Sequence, residues 1–170
     1  QSFDQPIAGA RSPRNASYDI DVRLDPATHS VIGRETLRWR NISRRDADEL
    51  QFHLYWNGWR NADSTWMRER SLRDTPSKPR SDEWGSIDVT RVSVRRPQDG
   101  TDGIVDLTGA MRFIARDDEN AADRTVFTVA LQQPVLPRET IEVDIEWKAV
   151  VPRPFLRTGY VGDYYFFGQW

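Results

Sequence analysis

Histidine side chains are the first groups to weigh, because they could bind a metal ion or carry a proton. His29 and His53 are the only histidines of the chain, and there is no cysteine. The sequence pattern places His29 in a turn and His53 on the polar side of a strand, so nothing in it brings the two side chains together. We therefore predict no metal site and no catalytic histidine.

Carboxylates are plentiful, but acid–base catalysis needs two of them in one cleft with separated pKa values. The segments VDIEW (143–147) and RDDENAAD (116–123) offer pairs only on faces and loops that we predict to be solvated. No GxSxG, GxGxxG or P-loop spacing occurs, so a serine nucleophile or a phosphate-binding loop has no motif behind it. The sequence predicts no catalytic residue in this chain.

Aromatic side chains offer a different chemistry, because exposed rings on a β-sheet can stack against sugars. Trp59, Trp66 and Tyr160 could supply such a platform, or they could pack inside the fold. Packing is the favoured interpretation for the tryptophans that fall on the apolar phase of predicted strands, namely Trp39, Trp56 and Trp147. Trp59 and Trp66 are left open between the two roles.

Charge and hydropathy exclude some classes of partner. The chain of 170 residues carries 24 Lys and Arg against 26 Asp and Glu, which gives no electrostatic footprint for nucleic acid. Apolar runs are only a few residues long, so we predict no membrane span. The absence of cysteine excludes disulfides and thiolate zinc sites.

The first thirteen residues are polar and are predicted to form an extended leader. The sequence opens on Gln1, as a mature terminus does after signal cleavage, although a truncated start would look the same. We expect a periplasmic or secreted protein.

The rest of the chain alternates between apolar and polar residues in the manner of β-strands. In residues 16–26, Tyr18, Ile20, Val22 and Leu24 share one face, which predicts a half-buried strand. Residues 29–41 resume as its hairpin partner. A third strand is predicted over 49–57, and further strands over 86–94, 104–107, 111–115, 125–131 and 140–151, with a bulge in the first of these.

One short helix interrupts the strands. Asp63 or Ser64 could cap it, and it would run toward Leu72 with Trp66 and Arg70 on one face. A loop rich in proline, serine and charge follows at 74–85. These elements predict an all-β fold, an antiparallel saddle-like sheet or sandwich with at most one or two short helices, in a single domain over residues 14–170.

The order of these segments resembles a known family. The stretches YDIDVRLDPATHSVIGRETLRWRN, ADELQFHLYWN, STWMRE, LPRETIEVDIEW and YYFFGQW are similar to the amino-terminal β domain of zinc metallopeptidases of the aminopeptidase N and leukotriene hydrolase type. The resemblance covers residues 16–170. In that family the zinc motif HExxH and the substrate motif GxMEN belong to a downstream catalytic domain, and neither motif is present in this sequence. The resemblance thus implies zinc only in that missing domain, with no cofactor here.

The resemblance also implies roles for the aromatic segment 164–170. Its apolar side chains would form a seam against the catalytic domain: Tyr164, Tyr165, Phe166, Phe167 and Trp170. Gln169 occupies the place of a Glu or Gln that binds the free amine of the peptide substrate in this family. The alternative for Gln169 is a polar position in an alternating strand.

We therefore expect a non-catalytic amino-terminal domain of a zinc-dependent aminopeptidase-like enzyme. Its partners would be its own downstream catalytic domain and a peptide substrate. The alternative is a self-standing β-sandwich binding module, possibly for glycans.

Overall fold

The structure is a computed structural model, and it describes residues 14–73, 83–96, 103–115, 118–153 and 157–168. Its strands are β1 (Ala16–Asp25), β2 (Ser30–Arg40), β3 (Ala47–His53), β4 (Ser86–Arg95), β5 (Val105–Asp106), β6 (Met111–Phe113), β7 (Val126–Val135), β8 (Thr140–Val150), β9 (Thr158–Val161) and β10 (Tyr164–Phe167). The one described α-helix is α1 (Thr65–Arg73), and two 3-10 turns span Tyr55–Trp59 and Thr108–Ala110. The predicted all-β class is confirmed. The predicted leader, and residues 74–82 of the predicted loop, lie outside the described residues.

The larger sheet has five antiparallel strands in the order β1-β2-β8-β4-β5. Its central strand β8 alternates strictly, with one face buried in the core: Ile141, Val143, Ile145, Trp147 and Ala149. The other face carries acidic side chains that pair with arginines of the neighbouring strands. Arg95 bonds to Glu142 and Arg34 lies 3.9 Å from Asp144. The period-2 pattern of this strand therefore separates core from charge, as predicted.

Two smaller sheets complete the fold. The strands β3, β7 and β6 form a three-stranded antiparallel sheet that packs on the larger sheet around a common core, where Phe52 stacks on Phe127 at 5.0 Å between ring centroids. The strands β9 and β10 form a separate two-stranded hairpin. The predicted bulge in β4 is confirmed, because its register with β8 shifts between Val89 and Arg91.

The first hairpin is confirmed, but the predicted burial of its apolar face is wrong for the middle of β1, while Leu24 is partly buried against the core as predicted. The strands β1 and β2 pair throughout their length. On β1, however, Tyr18, Ile20 and Val22 are 61%, 38% and 53% exposed. The three-stranded sheet is narrower than the five-stranded one, so no described residue covers the middle of the outer strand.

The third predicted strand ends earlier than expected. Strand β3 stops at His53, and residues 55–59 form a 3-10 turn. Trp56 is buried, as predicted, but from this turn and not from a strand face. Local alternation was a poor guide here because the buried side chains of the turn, Trp56, Asn57 and Trp59, follow no period of two.

A buried asparagine fixes the position of this turn. The Asn57 side-chain amide donates to the backbone carbonyls of Ile87 and Arg124, both at 2.9 Å, and its oxygen accepts the backbone N–H of Ile87 at 2.9 Å. One side chain therefore joins the turn to β4 and to the segment that enters β7. Because the two hydrogen bonds to the Ile87 backbone are buried, each of its two groups would cost about 1–3 kcal/mol if left unsatisfied.

The predicted helix is confirmed together with its serine cap. The Ser64 hydroxyl accepts the backbone N–H of Met67 at 3.2 Å and donates to the carbonyl of Gly58 at 2.6 Å. The guanidinium of Arg70 lies 5.4 Å from the ring centre of Trp66, on the face that the sequence predicted. In the part of the chain that the structure describes, no helix has the length and apolar character needed to cross a membrane.

The indole of Trp147 occupies the space beside Gly33, its register partner in the neighbouring strand. A Cβ atom at residue 33 would come within 2.2 Å of the Trp147 ring, closer than any real contact. The absence of a side chain at residue 33 thus creates the space that the largest side chain of β8 occupies.

We predict that Gly33→Ala lowers the free energy of unfolding by about 2–3 kcal/mol, because Trp147 must leave its place in a packed core. Gly109→Ala is the matched control, since a Cβ at Gly109 meets no atom within 4 Å. Urea denaturation of both variants measures the difference. Equal stability of the two variants would contradict this account.

Candidate functional site

The hairpin formed by β9 and β10 is the first candidate surface. Its inner face is held by specific contacts: the Tyr165 hydroxyl lies 2.7 Å from Nδ1 of His29, and the Phe167 ring lies 5.7 Å from that of Trp56. The His29 ring in turn stacks on Tyr160, with 3.7 Å between ring centres. The turn that precedes β2 thus anchors the hairpin.

The outer face of the hairpin is apolar and exposed. Tyr164 and Phe166 are 68% and 53% exposed, and Val161, the register partner of Tyr164, is 63% exposed. The alternation of β10 therefore places two rings inward and two rings outward. These residues correspond to the predicted seam, and that role stays a prediction.

The end of the hairpin is fixed in place. The Thr158 hydroxyl accepts the backbone N–H of Gly168 at 3.1 Å and donates to its carbonyl oxygen. A Cβ at Gly168 would lie 2.7 Å from the carbonyl oxygen of Arg157, so the two backbones are in close contact. Gln169 and Trp170 lie outside the described residues, and their predicted roles stay predictions.

A cleft of about 700 Å³ is the second candidate surface. Residues of the first 3-10 turn, of α1, of the segment after β6 and of the start of β7 line it, and Arg157 joins them from the end of the hairpin. The close contact between Gly168 and Arg157 therefore places the hairpin end beside this cleft.

Two of the predicted platform residues line the cleft. Trp59 and Trp66 meet edge to face, with 6.3 Å between ring centres, and Trp59 is buried while Trp66 is half-buried. Tyr160 is buried against His29 and does not line this cleft. The structure thus brings two of the three rings together and leaves Trp66 as the more accessible one.

Polar groups on the cleft wall are organised around Asp123. One carboxylate oxygen accepts the backbone N–H of Thr65 at 3.0 Å, and the other accepts the backbone N–H and hydroxyl of Thr125 at 2.7 and 2.5 Å. Burial alone would raise the pKa of the Asp123 carboxyl, but the hydrogen bonds from Thr125 and Thr65 outweigh it and hold this pKa below its ordinary value. Asp123 is therefore an anion that fixes the start of α1.

This arrangement corrects one expectation from the sequence. We predicted that the acidic segment 116–123 would be solvated, yet Asp123 and Asn120 are buried. The Asn120 amide donates to the carbonyl of Asp63 at 2.8 Å, and the Thr65 hydroxyl donates to Asp118 at 2.6 Å. Nothing in the sequence around Asp123 indicated this role, because the helix whose start it caps is more than fifty residues away in the chain.

His53 lies at the rim of the cleft, where its ring stacks on Tyr55 at 3.8 Å between ring centres. Partial burial lowers the pKa of His53, against the opposing effect of the Asp123 carboxylate. His53 is therefore neutral at pH 7, and its imidazole can accept or donate a hydrogen bond.

The cleft as a whole suits binding. It offers indole rings, fixed carboxylates, a neutral imidazole and an arginine, a combination that fits a ligand with apolar faces and hydroxyl or amine groups. Within the ranges that the structure covers, no three His, Asp or Glu side chains gather as potential metal ligands.

Comparison with known proteins gives little to identify the chain. No protein-family model matches it, and no curated protein matches it. Among solved structures it is similar to the CBM3a-L domain with flanking linkers from scaffoldin cipA of the cellulosome of Clostridium thermocellum. That match has 10% sequence identity and a TM-score of 0.37, and it covers 89% of this chain and 80% of that one. A likeness this weak carries no inference about function.

We predict that Asp123→Asn destabilises the protein by about 1–2 kcal/mol at pH 7, because a neutral amide replaces a charged cap acceptor. The folded-state pKa of Asp123 lies below its ordinary value of 3.8, so the carboxylate stabilises the fold above that pH. The difference between wild type and variant should shrink as the pH falls through the folded-state pKa. Chemical denaturation between pH 7 and pH 2 measures it.

Asp21→Asn serves as the control, because Asp21 is exposed on β1 and its replacement should change stability by no more than about 0.5 kcal/mol. A pH-independent effect of Asp123→Asn would show that the charge of Asp123 is not what stabilises α1.

Proposed function

We propose that this chain is a non-catalytic β domain that packs against another protein domain through the outer face of its β9–β10 hairpin. The observation that carries the proposal is the split of the hairpin rings, two of them held inward by named contacts and two of them left largely exposed beside Val161. Exposed aromatic patches on an ordered scaffold are typical of protein interfaces.

The finer proposal is that the partner is the catalytic domain of a zinc-dependent aminopeptidase-like metallopeptidase. It rests on the sequence resemblance over residues 16–170, and the hairpin geometry is consistent with it. The zinc ligands and the catalytic groups would then belong to residues outside this sequence. The periplasmic or secreted location belongs to the same proposal.

In this proposal the domain forms one wall of the substrate groove. The cleft lined by Trp59, Trp66 and Arg157 lies beside the anchored end of the hairpin, which supports a shared groove at that place. Gln169 directly follows the anchored Gly168 in sequence, and we propose that its amide oxygen accepts a hydrogen bond from the free amine of the peptide.

A self-standing binding module is the second candidate function, and the cleft itself favours it. A volume of about 700 Å³ with two indoles and several polar groups falls within the range of small-ligand sites. An oligosaccharide could stack on Trp66 and bind the carboxylates with its hydroxyl groups.

We predict that the isolated chain binds a hydrophobic dye or self-associates, and that Tyr164→Ser combined with Phe166→Ser reduces either effect severalfold, because the double substitution removes the exposed rings. Dye fluorescence and sedimentation velocity measure the effect. The matched control is Leu72→Ser with Leu136→Ser, which replaces two exposed apolar side chains outside the hairpin.

Two measurements on the isolated chain, dye binding and tryptophan fluorescence, also distinguish the two candidate functions. If the hairpin variant behaves as wild type, and if tryptophan fluorescence shifts on titration with oligosaccharides in a way that Trp66→Ala abolishes, the binding module is the correct function. No response to oligosaccharides, together with the loss of dye binding, favours the accessory domain.

For Gln169 we predict that Gln169→Ala, in the protein that contains the catalytic domain, raises KM for free-amine peptides about tenfold with little change in kcat. A hydrogen bond to a charged group contributes about 1.5–3 kcal/mol, enough for such a change. Peptides with an acetylated amine are the control, because they lack the ammonium group and their KM should be the same in the wild-type protein and in Gln169→Ala. An unchanged KM in steady-state kinetics would remove this role.

A further inference from the structure

A second hollow, of about 400 Å³, lies between the five-stranded and the three-stranded sheets. Its walls are largely apolar, and they come from both sheets: Ile20, Phe52, Leu54, Ile87, Phe127 and Ile145. Its volume falls within the range of sites for small organic ligands.

The hollow contains one carboxyl group, that of Glu35 on β2. In the ladder, Glu35 lies directly opposite Ile20 of β1 on one side and Ile145 of β8 on the other. The diagonal neighbours on this face are equally uncharged: Tyr18, Val22, Val143 and Trp147. A cation directly across the strand would stabilise a carboxylate in this position, but Glu35 faces apolar side chains.

The Glu35 side chain has no hydrogen bond or ion pair with any residue in the described ranges. Burial raises the pKa of its carboxyl above the ordinary value of 4.5. The other titratable groups at the hollow are the phenol of Tyr18 and the imidazole of His53, whose pKa is lowered by partial burial. None of the described residues that line the hollow therefore brings a positive charge to compensate that of Glu35.

No described residue closes the hollow on the side of β1. Tyr18 and Ile20 both line it and are both exposed, because the smaller sheet does not reach this strand. A small molecule can therefore enter without any movement of the core.

We propose that this hollow binds a small organic cation, an amine carried on an apolar body, with the ammonium group on the Glu35 carboxylate and the apolar body between the two sheets. Charge complementarity selects the cation, and the apolar walls select its body. The proposal is independent of the function proposed for the hairpin and the cleft.

The test uses 2-phenylethylamine as the probe, with 2-phenylethanol as a neutral analogue and 3-phenylpropanoate as an anionic one. Isothermal titration at pH 7 should show the amine binding at least tenfold more tightly than the alcohol, since a charge-assisted hydrogen bond distinguishes them. The anion should not bind measurably.

Two variants locate the binding at Glu35. Glu35→Gln should remove the preference for the amine over the alcohol. Ile20→Lys should abolish amine binding, because it places an ammonium directly opposite Glu35, whereas Ile20→Leu should retain binding. Trp66→Ala, in the separate cleft, should leave the affinity unchanged.

Glu35→Gln is expected to fold. Because the folded-state pKa of Glu35 is raised, its ionised form makes the native state less stable as the pH rises above 4.5, so the neutral variant should be at least as stable at pH 7. Ile20→Lys changes an exposed side chain, which gives a second folded variant.

The proposal is overturned if the amine and the alcohol bind equally, if neither binds, or if Glu35→Gln retains the preference for the amine. Loss of amine binding in Trp66→Ala would also overturn it, by assigning the site to the other cleft. None of these outcomes depends on whether the hairpin packs against a catalytic domain.

Discussion

The unequal width of the two facing sheets is the constraint on which the rest of this structure depends. Five strands lie on one side of the core and three on the other, so the apolar face of the wide sheet is covered over β8 and β4 and uncovered along the middle of β1. The hydrophobic effect fills the covered part with large side chains, among them Trp147 on Gly33. At the boundary of the covered part the two sheets leave a hollow, and Glu35 lies in it. The unequal width of the sheets thus accounts both for the packed core and for the hollow beside it.

The buried polar side chains Asn57 and Asp123 hold chain segments in place, and we assign them no chemical role. Asn57 joins the turn that carries Trp56 and Trp59 to β4, and Asp123 joins the start of α1 to β7. Each connects segments that are distant in sequence, and each satisfies backbone groups that would otherwise be buried without partners. The aromatic rings of the cleft owe their orientation to these two side chains. An arrangement fixed in this way can present a surface to a ligand or to a neighbouring domain without reorganisation.

Much of the fold could be predicted from the sequence, because strict alternation and a serine cap are local signals. Three strands, β1, β2 and β8, and the helix α1 begin and end close to their predicted limits. The bulge of β4 lies where the sequence predicted it. Burial was harder to predict, since the exposed face of β1 has the same pattern as a covered one and only the width of the opposite sheet distinguishes them. The sequence analysis did not single out Glu35. The available signal was its position on the same face of β2 as Leu37, which indicates a carboxyl group directed toward the core. The anchoring role of His29 had no signal at all, because its partners are Tyr160 and Tyr165, far along the chain.

The order of the strands also bears on how the protein is made. Strand β8 lies between β2 and β4, which do not pair with each other. The central strand of the wide sheet is therefore missing until residue 150 has left the ribosome. Local hairpins can form early, but pairings between residues more than a hundred positions apart must wait for synthesis to catch up. Until then β2 and β4 each have an unpaired edge and an uncovered apolar face. Such unpaired edges make partly folded chains prone to aggregation, and in this topology they stay unpaired until β8, the last strand to enter the sheet, has been synthesised.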